Sequence, residues 1–197
     1  VCHFNIRAPH RSLRIEAVSL VETCVVDPFA RLDLVTRPEE DWAFYEDRGI
    51  RSDNAEWLQP TRAASFHPLL ANLAGDCRKR TTYEFLSDLN AAVRGLIAYA
   101  PGATHVHTTI EEVLRDRAGV CQDYAHVMLA AARMFGIPAR YVSGYLFTRK
   151  GEEALRGELS THAWVECLLP DDRWHGFDPT NNLLANDHYV KVHFGRD

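Results

Sequence analysis

The chain has 197 residues, 46% of them hydrophobic and 25% charged, and a formal net charge of −5. That apolar share with so small a charge excludes disorder as the main state, and no apolar run approaches the ~20 residues a membrane helix needs. Twenty-two Lys and Arg face twenty-seven Asp and Glu with no dense basic run, which argues against nucleic acid as a partner. In chain order, residues 1–35 alternate like strands: His3 to Arg7, a turn at Pro9-His10-Arg11, then Ser12 to Val26 with Leu13, Ile15, Ala17 and Val21 between polar neighbours. Two strands alone are marginal in water, so these belong to a larger sheet or lean on the main domain. Residues 36–65 combine Pro38, Gly49, Pro60 and many charges with a short helical stretch over Glu39–Asp47. They read as a linker, and a boundary near residue 60 divides a partial β region and linker (1–60) from a catalytic domain (61–197).

Helical periodicity returns at Thr82–Ala98 through Phe85, Leu89, Val93, Leu96 and Ile97, and Pro101-Gly102 follows its end. Thr109 with Glu112 three residues on is a capping-box pattern for a short helix through Arg117, and Gly119 closes it. A third helix, Cys121 to Phe135, is Ala-rich and apolar on most faces, hence central and buried; Gly136 and Pro138 stop it. Strands follow at Ala139–Leu146, His162–Leu168 and Arg173–Phe177.

Five cysteines (Cys2, Cys24, Cys77, Cys121, Cys167) are widely spaced with no C-x-x-C pair, so neither a disulfide framework nor a zinc site is expected. Free thiols suit a reducing compartment, and no basic segment followed by an apolar one stands at the start, so a cytoplasmic location is the expectation. His105 and His107 share a face if they lie on a strand; a polar edge strand is preferred over a metal site there. No metal and no cofactor is called for.

Three residues stand out by position. Cys121 opens the buried helix, where free backbone N–H groups and the helix dipole favour a thiolate, and the same N–H groups can donate to an oxyanion. His162 begins one strand and Asp178 ends the next, with Pro170-Asp171-Asp172 between them. In an antiparallel hairpin whose paired positions sum to 340 the two lie directly opposite; at 342 they are diagonal neighbours on one face; an odd sum separates them. Either even register lets Asp178 hold the imidazole while its other nitrogen addresses the Cys121 sulfur, the arrangement that acyl transfer requires.

The stretches Gly119-Val120-Cys121-Gln122-Asp123-Tyr124-Ala125-His126, Gly136-Ile137-Pro138-Ala139-Arg140-Tyr141-Val142-Ser143-Gly144-Tyr145, His162-Ala163-Trp164-Val165-Glu166 and Gly176-Phe177-Asp178-Pro179-Thr180-Asn181 closely resemble the bacterial transglutaminase-like family. The resemblance runs from about Tyr99 to Asp197, roughly half the chain. It implies an α+β, papain-like fold: a buried nucleophile helix on an antiparallel sheet, with Cys121 as nucleophile, His162 as base and Asp178 as orienting carboxylate. The strands at 1–26 resemble the tail of the β-rich region that such proteins carry, so the chain reads as a fragment of a longer protein. The implied activity is acyl transfer at an amide of a peptide or protein substrate, through a thioester, with hydrolysis as first choice. A transglutaminase reaction with an amine acceptor, or a non-catalytic scaffold on the same fold, stands as the alternative; nothing fixes the oligomeric state.

Around this trio, Gln122 is a candidate oxyanion donor and equally a capping residue, while Trp164 walls the cleft or fills the core. Tyr99 is a candidate cleft residue. Asp123 is accounted for by the helix dipole, His126 by packing, and His175 alternates away from Asp178. Cys24 and Cys167 sit in strand patterns as core, and Cys77 reads as a surface thiol. The charged segment Thr148–Ser160 reads as a flap near the cleft, with a solvated loop of no role as the default. Replacing Cys121 by Ala should abolish turnover, whereas Asp178→Asn should weaken it less, since an amide can still orient the ring.

Overall fold

Residues 5, 9–14, 16–24, 37–73, 77–148, 155–157 and 161–197 are described in a computed structural model. Its centre is helix α5 (Cys121–Met134), in which Tyr124 through Arg133 are all buried, as an Ala-rich stretch with apolar residues on most faces demands. Burying each of its large side chains (Tyr124, Val127, Met128, Leu129) contributes about 1.5–3 kcal/mol. Before it come α1 (Pro38–Phe44), α2 (Arg48–Asp53), α3 (Thr82–Leu96) and α4 (Ile110–Asp116). Capping boxes open α3 at Thr81/Glu84 and α4 at Thr109/Glu112. Two short parallel strands, β1 (Ala98–Tyr99) and β2 (Ala118–Gly119), tie the end of α3 to the residues just ahead of α5.

The main sheet holds β3 (Ala139–Leu146), β4 (Thr161–Leu169), β5 (Arg173–Asp178), β6 (Leu183–Leu184) and β7 (Tyr189–Gly195), in spatial order β6-β5-β4-β3-β7 with every neighbour antiparallel. Ala163, Val165, Cys167 and Leu169 of β4 join the same core as α5. Alternate residues turn to the other face, where Trp164 packs with Val142, Leu146 and Tyr189. Farther along that face the Arg140 guanidinium lies between Trp174 (4.2 Å) and Phe194 (4.0 Å) and pairs with Glu166 at 2.6 Å. The buried Arg133 of α5 donates to the carbonyls of Ala139, Gln59 and Arg196, joining the start of β3 to two distant stretches of chain.

The β4–β5 turn decides the site. Leu169 pairs with Arg173 and Val165 with Phe177, so paired positions sum to 342. Asp172 takes φ 57°, the left-handed residue that closes a three-residue hairpin loop. Of the two even registers, the diagonal one is realised.

Three expectations are corrected. The stretch read as a linker over 36–65 is instead structured from residue 37 on: α1 and its C-cap place Trp42 and Tyr45 in the main core, with Tyr45 Oη donating to the Leu168 carbonyl (2.9 Å) and Trp42 Nε1 to that of Arg80 (3.0 Å). These aromatics outweigh the proline and charge content that suggested a spacer. Among the described residues of 9–24 no strand forms, and Val18 and Leu20 are exposed; an alternating stretch becomes a strand only where a neighbouring ladder receives it. Cys24 is accordingly exposed rather than core. Residues 104–108 form a turn, not an edge strand: His107 N–H donates to His105 Nδ1 (3.1 Å) and His105 N–H to Thr108 Oγ1 (3.0 Å). Cys2, the Cys77 side chain and most of the segment 148–160 lie outside the described residues. Among the described residues no helix is long and apolar enough to cross a membrane.

Candidate active site

Asp178 ends β5 with its side chain wholly buried, a position that an isolated carboxylate could not hold. Five hydrogen bonds make it tenable. The backbone N–H groups of Thr180 (2.9 Å) and Asn181 (3.3 Å) donate to Oδ1, the Asx-turn habit of an Asp two residues before the acceptor turn closes. His162 Nε2 (2.8 Å), Asn181 Nδ2 (2.8 Å) and Tyr189 Oη (2.7 Å) converge on Oδ2. Burial pushes the carboxyl upward, but the imidazole's hydrogen bond and charge, with Asn181 and Tyr189, hold it below its ordinary value. Burial and the neighbouring carboxylate keep the Tyr189 hydroxyl protonated as a donor.

His162 is equally buried. Burial alone would lower its pKa; the Asp178 hydrogen bond, the Cys121 thiol beside it and the charges of both push it up to about 9. The ring rests on Trp164 at a centroid separation of 6.2 Å and a 23° tilt. Its Nδ1 is buried and has no hydrogen-bond partner, while Nε2 is committed to Asp178. That leaves Nδ1 as the nitrogen available to a sulfur. Cys121, half-buried at the first position of α5, borders the same ring. Catalytic hydrogen bonds are commonly loose in the empty site and tighten with substrate.

The start of α5 is built by Asp123. Its buried carboxylate accepts the Val120 N–H (2.7 Å) and the Thr104 hydroxyl (2.6 Å), fixing the loop ahead of the helix to the turn at 104. The dipole accounts for its sign, but this two-point clamp is what it does. Tyr99 is brought to the site by the β1–β2 pairing, where it stands opposite Gly119. Its hydroxyl is raised by burial and by the Cys121 charge, while Arg156 pulls it back. Gln122 is half-buried, and among the described residues its amide has no hydrogen-bond partner, which leaves it free to donate. Trp164, by contrast, is only 1% exposed: it supports the imidazole from below and does not line an opening. His126 is buried against Tyr141 (5.4 Å), with burial lowering its pKa, and His175 pairs with Asp171 (2.9 Å) away from the site. Cys167 is buried, and burial pushes its thiol far up, as an inert core residue requires.

Four participants were not singled out from the sequence. Asn181 had a usable signal, the Asp-Pro-Thr-Asn turn. Tyr189 had none, since its proximity depends on strand register; Arg156 and Gly157 fall in the segment read as a flap near the cleft, but nothing within it singled them out. Asn181 accepts the Arg156 N–H on Oδ1 (2.9 Å) and donates from Nδ2 to the Arg156 carbonyl (3.2 Å), so one side chain joins the 155–157 segment to Asp178. Gly157 has φ +91°, and a Cβ there would stand 2.5 Å from His162 Nδ1; only glycine lets the backbone pass this close.

A sequence model of the Transglutaminase-like superfamily matches residues 71–179. An uncharacterised protein of Mycobacterium leprae is 33% identical over 203 residues, covering 100% of this chain and 68% of its own length. A protein-glutamine gamma-glutamyltransferase of Pseudomonas aeruginosa is 29% identical over 149 residues, covering 64% of this chain but 22% of itself. The crystal structure of a candidate cysteine protease from Cytophaga hutchinsonii superposes with a TM-score of 0.61 at 28% identity, over 74% of this chain and 47% of that one. The chain thus spans about two thirds of the mycobacterial relative and under half of the solved one.

Proposed function

Because the chain belongs to the transglutaminase-like superfamily, we propose that it carries out cysteine-dependent acyl transfer at an amide of a peptide or protein, with Cys121 as nucleophile, His162 as acid and base, and Asp178 orienting the ring. The observation that carries this reading is the commitment of His162 Nε2 to a fully buried, five-bonded carboxylate, with Nδ1 left unpartnered beside Cys121. With its pKa pushed up to about 9, the His162 ring already holds on Nδ1 the proton that Cys121 gives up, and as sulfur bonds to the amide carbon the carbonyl electron pair moves onto oxygen. That oxyanion forms near the α5 N-terminus, where the Cys121 N–H and the free Gln122 amide can donate. Collapse breaks the C–N bond, the imidazolium gives its proton to the leaving amine, and a thioester remains. Water, deprotonated by His162, then releases the acid and restores the thiol.

Hydrolysis is the first choice because water is always present, and the likeness to a candidate cysteine protease accords with it. Amine acceptance is the second, favoured by the relative named as a protein-glutamine gamma-glutamyltransferase. Mass spectrometry after trapping with an electrophilic peptide analogue should find the adduct on Cys121, and Cys121→Ala should lose both adduct and turnover. Glutamine-containing peptide supplied with a labelled primary amine then separates the acceptors by product mass. Full turnover by Cys121→Ala, or labelling spread evenly over all cysteines, would overturn the reading.

A further inference from the structure

We propose that Arg156 forms a cationic subsite beside Cys121 that receives a carboxylate of the acyl donor, an inference that rests on the acyl-transfer reading above. Its backbone is held at both its N–H and its carbonyl by Asn181, the residue that also bonds Asp178, so the position of Arg156 is tied to the catalytic carboxylate and not left to a wandering loop. The next residue, Gly157, lies against His162 Nδ1. From that anchor the guanidinium extends over the face of Tyr99, 5.5 Å from the ring centre. Tyr99 stands opposite Gly119, two residues before Cys121, so the cation over its ring lies close to the start of α5.

The guanidinium is not satisfied where it lies. Its Nη1 is buried with no hydrogen-bond partner, and among the described residues no carboxylate forms an ion pair with it. A buried N–H of a charged group left without an acceptor is costly, and the planar fork of Arg matches a carboxylate better than any other common group. Asp178 does not serve as that acceptor, since its oxygens are already taken by His162, Asn181, Tyr189 and two backbone donors. An incoming carboxylate that arrives close to the scissile carbonyl supplies the unmet partner. An acidic side chain next to the reacting amide and the terminal carboxylate of a short peptide both offer this chemistry.

The charge preference can be read without knowing the natural substrate. Iodoacetate and iodoacetamide alkylate the Cys121 sulfur by the same displacement of iodide and differ in carrying a carboxylate or a neutral amide. The ratio of their rates, measured on Cys121 by mass spectrometry, should fall by about fivefold or more in Arg156→Gln, as expected when one focused charge is removed from a cleft. Arg156→Lys should retain most of the ratio, and Arg94→Gln, which removes the cation in the last turn of α3, outside the Asn181 clamp, should leave it unchanged. A ratio indifferent to Arg156→Gln, or one that falls equally in Arg94→Gln, overturns the subsite. Should iodoacetamide fail to select Cys121 even in the unaltered chain, the acyl-transfer reading itself fails, so the two failures are distinct. Where the ratio responds, protection from iodoacetamide by an end-blocked peptide bearing Glu, or by a Gln peptide with a free carboxyl end, assigns the carboxylate to side chain or terminus.

Discussion

At the scale of single residues, the crowding of donors on Asp178 revises what a conservative change should do. An amide at 178 can present its oxygen to His162, but its NH₂ then faces the Thr180 and Asn181 N–H groups; turned the other way, it faces three donors. Every arrangement sets donor against donor in a buried place, at a cost of about 1–3 kcal/mol. Asp178→Asn is therefore expected to reduce kcat/KM by about a hundredfold or more and to lower the melting temperature, a harsher outcome than ring orientation alone suggests. Steady-state kinetics with a thermal melt on the same preparation checks both; retention of a tenth of the activity would show that the carboxylate's charge is dispensable.

At the scale of elements, the site depends on how closely β7 meets β3. The register slips between Ser143 and Gly144, and a Cβ on Gly144 would stand 2.0 Å from the Val190 carbonyl oxygen and 2.7 Å from the Trp164 ring. This contact brings Tyr189 to the Asp178 carboxylate. Gly144→Ala should thus push β7 outward, costing about 3 kcal/mol in stability from overpacking against backbone and weakening turnover through the lost Tyr189 bond. Urea unfolding and activity, read beside Tyr189→Phe, test it: if Gly144→Ala leaves both unchanged, the strand spacing does not position the site. The same elements show how much could be read from sequence. The nucleophile helix and its neighbouring strands were legible because burial writes a period into them, and the even register of the hairpin kept His162 and Asp178 together on one face. Tyr189 was not legible, since its place depends on how β7 registers against β3, and nothing in the sequence specifies the slip that leaves Val192 unpaired. Trp42 and Tyr45 hid in a charged, Pro-bearing stretch because an aromatic pair carries no period, and the alternation in 9–24 misled because strand formation is a property of the partner as much as of the segment.

At the scale of the whole molecule, the His162–Asp178 pair links folding to pH. The imidazole binds its proton more tightly in the folded chain, with a pKa of about 9, than in the unfolded one, where it is about 6.5. Its stabilisation is therefore complete below pH 6.5, declines between 6.5 and 9, and is gone above. Asp178 acts with the opposite sign: its pKa is lowered on folding, so its contribution is present above about pH 4 and is lost as pH falls through the lowered value. The two together give greatest support between about pH 4 and 6.5, in a chain whose buried pair joins the sheet's central strand to its neighbour. The melting temperature should consequently fall as pH rises from 6.5 to 9.5, and His162→Gln should show a shallower slope over that window even if it melts lower throughout. Differential scanning calorimetry in a pH series resolves the comparison, because the slope and not the absolute stability carries the information. Equal slopes in the two proteins would mean that the ring is neutral in the fold, and the imidazolium that donates to the leaving amine would then have to form only after substrate binds.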